Sequence, residues 1–202
     1  MNVGVLASGA GTNLQALIDH VHGDGGVRIA AVASDRAGAP ALERAARAGI
    51  ESRVFAATEF DSRAQRDAAI AAWLQERGVE LVVLAGYMQL LTDGFLEAFP
   101  DRVINIHPAL LPAFPGLGAI QQAIDRGVKV FGASVFFVDG GVDSGPLILQ
   151  RAIELPAGSD AESAHDLLRP VEHELLVEAV RLIAAGTVRI DPHNSRRVVI
   201  SR

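Results

Sequence analysis

The chain has 202 residues, 50% of them hydrophobic and 21% charged, which suits a soluble globular protein with one sizeable core. A net charge of −6 argues against nucleic acid as a partner, and the basic pair Arg196-Arg197 is too short to form a footprint for it. No apolar run is long enough to span a bilayer, and the absence of cysteine excludes disulfides, thiolate zinc sites and cysteine nucleophiles.

The start, MNVGVLASGAG, lacks a basic stretch followed by a long apolar one, so it does not read as a signal peptide; a cytoplasmic location is expected. VGVLA (3–7) then reads as a strand, 12–21 as a helix with Leu14, Leu17 and Ile18 on one face, and VRIAAVAS (27–34) as a second strand. A helix over 40–48 stops at Gly49. A short strand is expected at 52–55, a long helix over 61–77 stopped by Gly78, and buried strands at 80–86 and 103–107. This alternation is the mark of a parallel sheet with helices on both faces.

Past residue 126 the rhythm changes. The apolar runs 130–138 and 146–155 are separated by only DGGVDSG, too little for a crossover helix, so they are expected to pair antiparallel. A final helix over 160–185 begins at a capping-box pattern, Ser159-x-x-Glu162, and Pro170 should kink or split it. Without repeats or linkers, the expectation is one domain over 1–202. Its class is α/β: a Rossmann-like three-layer sandwich, mostly parallel, with an antiparallel C-terminal strand pair.

Ligands of open α/β sheets bind beyond the carboxyl ends of the strands. Residues 8–13, 86–91 and 105–107 fall at such ends. In ASGAGTNLQAL (7–17), glycines permit close backbone approach and a helix N-terminus attracts anions. No lysine completes a Walker loop, and Leu14 stands where a dinucleotide fingerprint needs glycine. The plain alternative is a tight turn with Thr12 or Asn13 capping the helix.

Asn105 and His107 lie two apart on a strand and so share a face. An amide N–H can donate to a developing oxyanion and an imidazole can move a proton near neutral pH. DGGVDSGP (139–146) reads either as a hairpin turn with solvated acids or as a loop whose Asp143 orients His107; spacing alone leaves both open. The remaining histidines show no metal-ligand spacing. Locally, Glu172 and His173 read as a solvated helix face. Ser8 is outside any G-x-S-x-G elbow, which disfavours a serine hydrolase.

Taken together, SGAGTNLQAL, LAGYMQLL, NIHPALLPAFPGL, DGGVDSGPLILQ and RPVEHEL resemble the phosphoribosylglycinamide formyltransferases, folate-dependent enzymes of purine biosynthesis. The resemblance covers nearly the whole chain in order. It implies attack of the substrate amine on the formyl carbon of 10-formyltetrahydrofolate, used as cosubstrate, with small-molecule partners and no metal, nucleic acid or membrane. It leaves monomer and homodimer open.

By that resemblance Asn105 would bond the formyl oxygen. His107, as imidazolium, would stabilise the oxyanion and carry the proton. Asp143 would favour the charged His107 and position a relay water. Gly11, Thr12 and Asn13 would hold the substrate phosphate, Arg169 would reach it, and Glu172 would bind the ribose hydroxyls. Folate would lie along Met88, Gln89, Leu90 and Leu91, with its pterin against Asp139, Gly140, Gly141, Val142 and Asp143 and its glutamate tail facing Arg63. The chain departs from the family pattern at Gly118, Ile120 and Phe136, where histidines are frequent, and at Gln89, where arginine is frequent. Those departures put the polar contribution of the 114–124 loop in doubt. The nearest alternatives are another folate-dependent formyltransferase or a formyltetrahydrofolate hydrolase; a phosphate-sensing module would need the glycine loop but not Asn105, His107 and Asp143.

Overall fold

Continuous runs of Val, Ile, Leu and Ala, without polar alternation, suit strands buried on both faces. Four such runs form β1 (Asn2–Leu6), β2 (Arg28–Ser34), β4 (Leu81–Leu84) and β5 (Val103–His107), while the polar ESRV forms β3 (Glu51–Val54). The structure is a computed structural model that describes Met1 to Ser201. It divides into two units, Met1–Asn105 and Ile106–Arg202.

In the first unit the strand order is β3-β2-β1-β4-β5 and every neighbouring pair is parallel. The connections carry α1 (Thr12–His20), α2 (Pro40–Arg47), α3 (Arg63–Gln75) and α4 (Asp93–Ala98). The chain steps outward from β1 to β3, then returns to place β4 on the other side of β1. Right-handed crossovers therefore put α1 and α2 on one face and α3 and α4 on the other; α1 packs against α2 and α3 against α4. The change of direction between β1 and β4 is a topological switch point.

The helix α4 was not anticipated. It is six residues long and contains Gly94, too short for a periodic signal, and buried Phe95 anchors it. The start of α3 is Ser62, whose hydroxyl accepts from the Gln65 N–H, so the helix begins later than Asp61.

In the second unit β6 (Val130–Phe137) and β7 (Leu147–Glu154) pair antiparallel, as their short connection requires. The helix α6 (Ala161–Ala184) packs against both, with α5 (Ala119–Asp125) beside it. Ala164, Leu168, Leu175, Leu176, Ala179 and Val180 form its buried stripe. The class is the expected one, α/β with mostly parallel strands and an antiparallel pair late in the chain.

Two details of α6 differ from expectation. Its cap is Asp160, whose carboxylate accepts from Ser163 N–H while the Ser163 hydroxyl accepts from the Asp160 N–H. Ser159 instead donates its hydroxyl to the Pro156 carbonyl, so the capping box sits one residue later. Nor does Pro170 split the helix, which runs 24 residues through it. Pro170 is exposed, so the carbonyl it leaves without a donor is on the wet face.

A further hairpin, β8 (Val188–Asp191) with β9 (Asn194–Ile200), follows α6, and β9 lies against β7. Arginines interrupt the apolar pattern of this stretch, so its sequence carries no clear strand signal. The basic pair Arg196-Arg197 belongs to β9.

Candidate active site

In the first unit, β1 ends at a turn that hands directly to α1. Gly11 caps the helix in a left-handed conformation, φ +70°. A Cβ there would lie 2.7 Å from both Cα and Cβ of Ala41 in α2, so glycine is required twice over. No side chain caps α1, which corrects the reading of Thr12 or Asn13 as a cap. The first-turn N–H groups therefore remain available to an anion, and Asn13 Oδ1 is buried with no partner among the described residues. Arg44 of α2 donates to the Ala10 carbonyl (2.8 Å) and to Gln15 Oε1 (3.0 Å), bracing the loop.

Buried Ser8 joins the ends of β1 and β4. Its N–H donates to the Gly86 carbonyl at 3.1 Å, and its hydroxyl accepts from Met88 N–H at 2.9 Å. This fixes the start of the 88–91 segment, where Met88 and Leu90 are exposed apolar side chains.

Gln89 is otherwise engaged. Its amide donates to Asp35 Oδ2 (3.1 Å) and accepts from Arg66 Nη1 (3.4 Å). Arg66 in turn pairs with Asp67, and both are buried; Asp67 Oδ2 accepts from Thr92 N–H at 2.8 Å. Burial pushes the nearby Tyr87 phenol up to about 12. It is thus Arg66, one turn further along α3, that meets Gln89; Arg63 is exposed at the helix start. Nothing in the local sequence distinguished Arg66, or Arg44, from other surface arginines.

The strand β5 carries Asn105 and His107 two residues apart; Asn105 is half-buried and in register with Leu84. In the second unit, Nδ1 of His107 lies 3.3 Å from Oδ2 of Asp143, with the two side chains only 8% and 14% exposed. Its Nε2 lies 2.8 Å from the Phe114 carbonyl oxygen. A neutral imidazole donates from one nitrogen only. Here an oxygen faces each of the two nitrogens.

Asp143 Oδ2 also accepts from Gly116 N–H at 2.7 Å. The 114–124 loop thus contributes through its backbone, where side-chain histidines are absent. Phe136 is part of the core.

The segment after His107 is pinned from the β6–β7 pair. Buried Ser134 donates to the Ala109 carbonyl (2.6 Å) and accepts from Leu111 N–H (3.0 Å). Gln150 donates to the Leu111 carbonyl at 2.9 Å. The Leu111-Pro112 peptide is cis.

On α6, Glu172 is buried at 5% exposure, contrary to the solvated-face reading. Its Oε2 lies 3.6 Å from Nε2 of His165, two turns earlier on the same face of the helix, and that contact raises the His165 pKa from its ordinary value. Arg169 pairs with Asp166 at 2.8 Å. Among the described residues no cluster of His, Asp or Glu is arranged to hold a metal ion, and no helix is long and apolar enough to cross a membrane.

Residues 1–180 match the family model described as formyl transferase. The chain belongs to the formyl transferase family. Phosphoribosylglycinamide formyltransferase of Mycobacterium tuberculosis (strain ATCC 25618 / H37Rv) is 41% identical over 186 residues, covering 92% of this chain and 86% of that one. The trifunctional purine biosynthetic protein adenosine-3 of Drosophila pseudoobscura pseudoobscura is 42% identical over 190 residues, which make up 93% of this chain and 14% of that protein. The chain spans less than a fifth of the trifunctional relatives it matches. In structure it superposes on glycinamide ribonucleotide transformylase 1 from Symbiobacterium toebii with a TM-score of 0.96 at 48% identity, covering 100% of this chain and 94% of that one.

Proposed function

We propose that this chain transfers the formyl group of 10-formyltetrahydrofolate to the amine of phosphoribosylglycinamide, a step of purine biosynthesis in the cytoplasm. The amine nitrogen forms a bond to the formyl carbon, giving a tetrahedral oxyanion. The amine loses a proton, folate N10 gains one, and the carbon–N10 bond breaks to release tetrahydrofolate. Asn105 donates to the formyl oxygen, and His107, as imidazolium, stabilises the oxyanion and passes the proton, with Asp143 holding its ring.

Gly11, Thr12 and Asn13 offer the α1 N-terminus to the substrate phosphate. Arg169 supplies positive charge to the same group and Glu172 accepts from the ribose hydroxyls. Met88, Leu90 and Leu91 offer apolar surface to the folate, and Asp139, Gly140, Gly141, Val142 and Asp143 face its pterin. Gln89 contributes chiefly through its backbone, since its amide is already paired, and Arg63 faces the glutamate tail. No metal enters any of these steps.

The observation that carries the reading is the His107–Asp143 contact at 3.3 Å, set at the end of the Asn-x-His strand. A phosphate-sensing module has no use for it. The test is loss of the formyl group from 10-formyltetrahydrofolate with and without phosphoribosylglycinamide. Amine-dependent loss supports transfer. Amine-independent loss would favour a hydrolase, and no loss would defeat the enzyme reading.

A further inference from the structure

We propose that Arg196 of the terminal hairpin is a positioning residue for this reaction: it ties down the Asp139–Ser144 loop and so keeps Asp143 against His107. The inference rests on the formyl-transfer reading for its kinetic consequences, though not for its structural content.

The loop between β6 and β7 has reason to move. It contains Gly140, Gly141 and Gly145, and Asp143 itself stands at φ +50°, a left-handed conformation that a non-glycine residue keeps only when its surroundings enforce it. Some of that enforcement is internal. Asp139 Oδ1 accepts from the Ser144 hydroxyl at 2.6 Å and from Gly141 N–H at 3.0 Å. Gly116 N–H donates to Asp143.

The contact from the terminal hairpin is Arg196. Its Nη1 donates to the Ser144 carbonyl oxygen and lies 3.7 Å from Asp139 Oδ2. One guanidinium therefore meets both ends of the six-residue turn Asp139–Ser144 that presents Asp143, and the carbonyl it holds belongs to the very next residue. Both contacts are made by the one nitrogen, Nη1, so an ammonium that reaches this point keeps part of the hold. Arg196 is 69% exposed, so its ion pair adds little to global stability; its effect is local. It also lies beyond residue 180, where the match to the family model ends.

The test compares wild type with Arg196→Ala, Arg196→Lys and, as a neighbouring control, Arg197→Ala. Two readouts are taken on each: amide hydrogen exchange over 139–145, and kcat and KM for both substrates. In Arg196→Ala the loop amides are expected to exchange faster while those of β6 and β7 do not. The kcat is expected to fall about tenfold, the scale of a small misplacement at a reacting centre. The KM for phosphoribosylglycinamide and the melting temperature should hold, Arg196→Lys should recover part of the loss, and Arg197→Ala should match wild type.

Unchanged loop exchange in Arg196→Ala would overturn the clamp whatever the kinetics. Faster exchange with wild-type kcat would overturn its role in positioning. A wild-type chain without transfer activity would defeat the functional reading instead, and the exchange data would still decide whether Arg196 holds the loop. Should Arg196→Ala fail to fold, Arg196→Lys carries the same comparison in the same two readouts.

Discussion

Asp143 reaches Nδ1 of His107 with an oxygen at 3.3 Å from a backbone held at φ +50°, and the same oxygen takes the Gly116 N–H. The carboxylate is thus fixed from both sides and aims the imidazole. Asp143→Asn keeps the shape and tolerates the left-handed backbone, yet removes the charge that faces the ring. The expected outcome is a loss of about 10²–10⁴ in kcat/KM, the range for acid–base groups, with an unfolding midpoint close to wild type. Steady-state kinetics and a thermal melt on the same preparation check both halves. A variant within threefold of wild type in kcat/KM would remove Asp143 from the chemistry.

Gly11 meets a double constraint. A methyl group at this position would be forced into a left-handed backbone, at about 1–2 kcal/mol, and would press on Ala41 at 2.7 Å. Gly11→Ala should therefore lower the unfolding free energy by more than the backbone cost alone and displace α1 from α2. Since the α1 N-terminus is the proposed phosphate site, KM for phosphoribosylglycinamide should rise more than KM for the folate. Denaturant unfolding and substrate-resolved kinetics test the pair of effects; a rise confined to the folate KM would move the phosphate elsewhere.

His165 makes stability depend on pH. Its partner Glu172 raises its pKa above 6.5, with Asp166 adding to the effect and burial and Arg169 opposing it. A histidine whose folded pKa is raised adds stability that is full below the unfolded value and is lost as pH climbs through the folded value. The side chain is 47% exposed, so solvent screens the pair and the effect is modest. Urea midpoints of wild type and His165→Gln should differ most at about pH 5.5 and converge by about pH 8.5. A gap that widens with pH would mean that Glu172 is not the partner that matters.

β1, β2, β4 and β5 were legible in the sequence because parallel strands buried on both faces leave continuous apolar runs, whereas the polar, mostly exposed β3 does not. The antiparallel β6–β7 pair followed from a seven-residue gap that no crossover helix could fill. The Asn105-x-His107 spacing could be read directly, because period two is a property of any strand. What stayed hidden was non-local or too short. The six residues of α4 and the arginine-broken β8–β9 hairpin carry no periodic signal. Glu172 looked solvated because a helix face shows its burial only once a neighbour packs on it. The supporting groups of the site, Phe114 carbonyl and Gly116 N–H, are backbone atoms and have no residue-type signature at all. Arg44 and Arg66 are ordinary helix arginines until the fold gives them partners.

The Arg66–Asp67 pair is the clearest stability test. Both side chains are almost fully buried, and Asp67 holds the Thr92 N–H and Arg66 at once while Arg66 reaches Gln89. Removing one member of such a pair leaves the other as a buried charge without compensation, at about 3–5 kcal/mol, whereas replacing both with apolar groups of similar size is often near neutral. Asp67→Leu alone should therefore destabilise strongly, with an added cost from the orphaned Thr92 N–H. Arg66→Met alone should cost a similar amount through the stranded carboxylate. The double variant should recover a large part of the sum, so that the coupling in a double-mutant cycle is favourable and exceeds about 1 kcal/mol. Urea unfolding of the four proteins measures it. Strict additivity would mean that water reaches the pair and screens it, and the buried network behind Gln89 would then have no part in fixing the 88–91 segment.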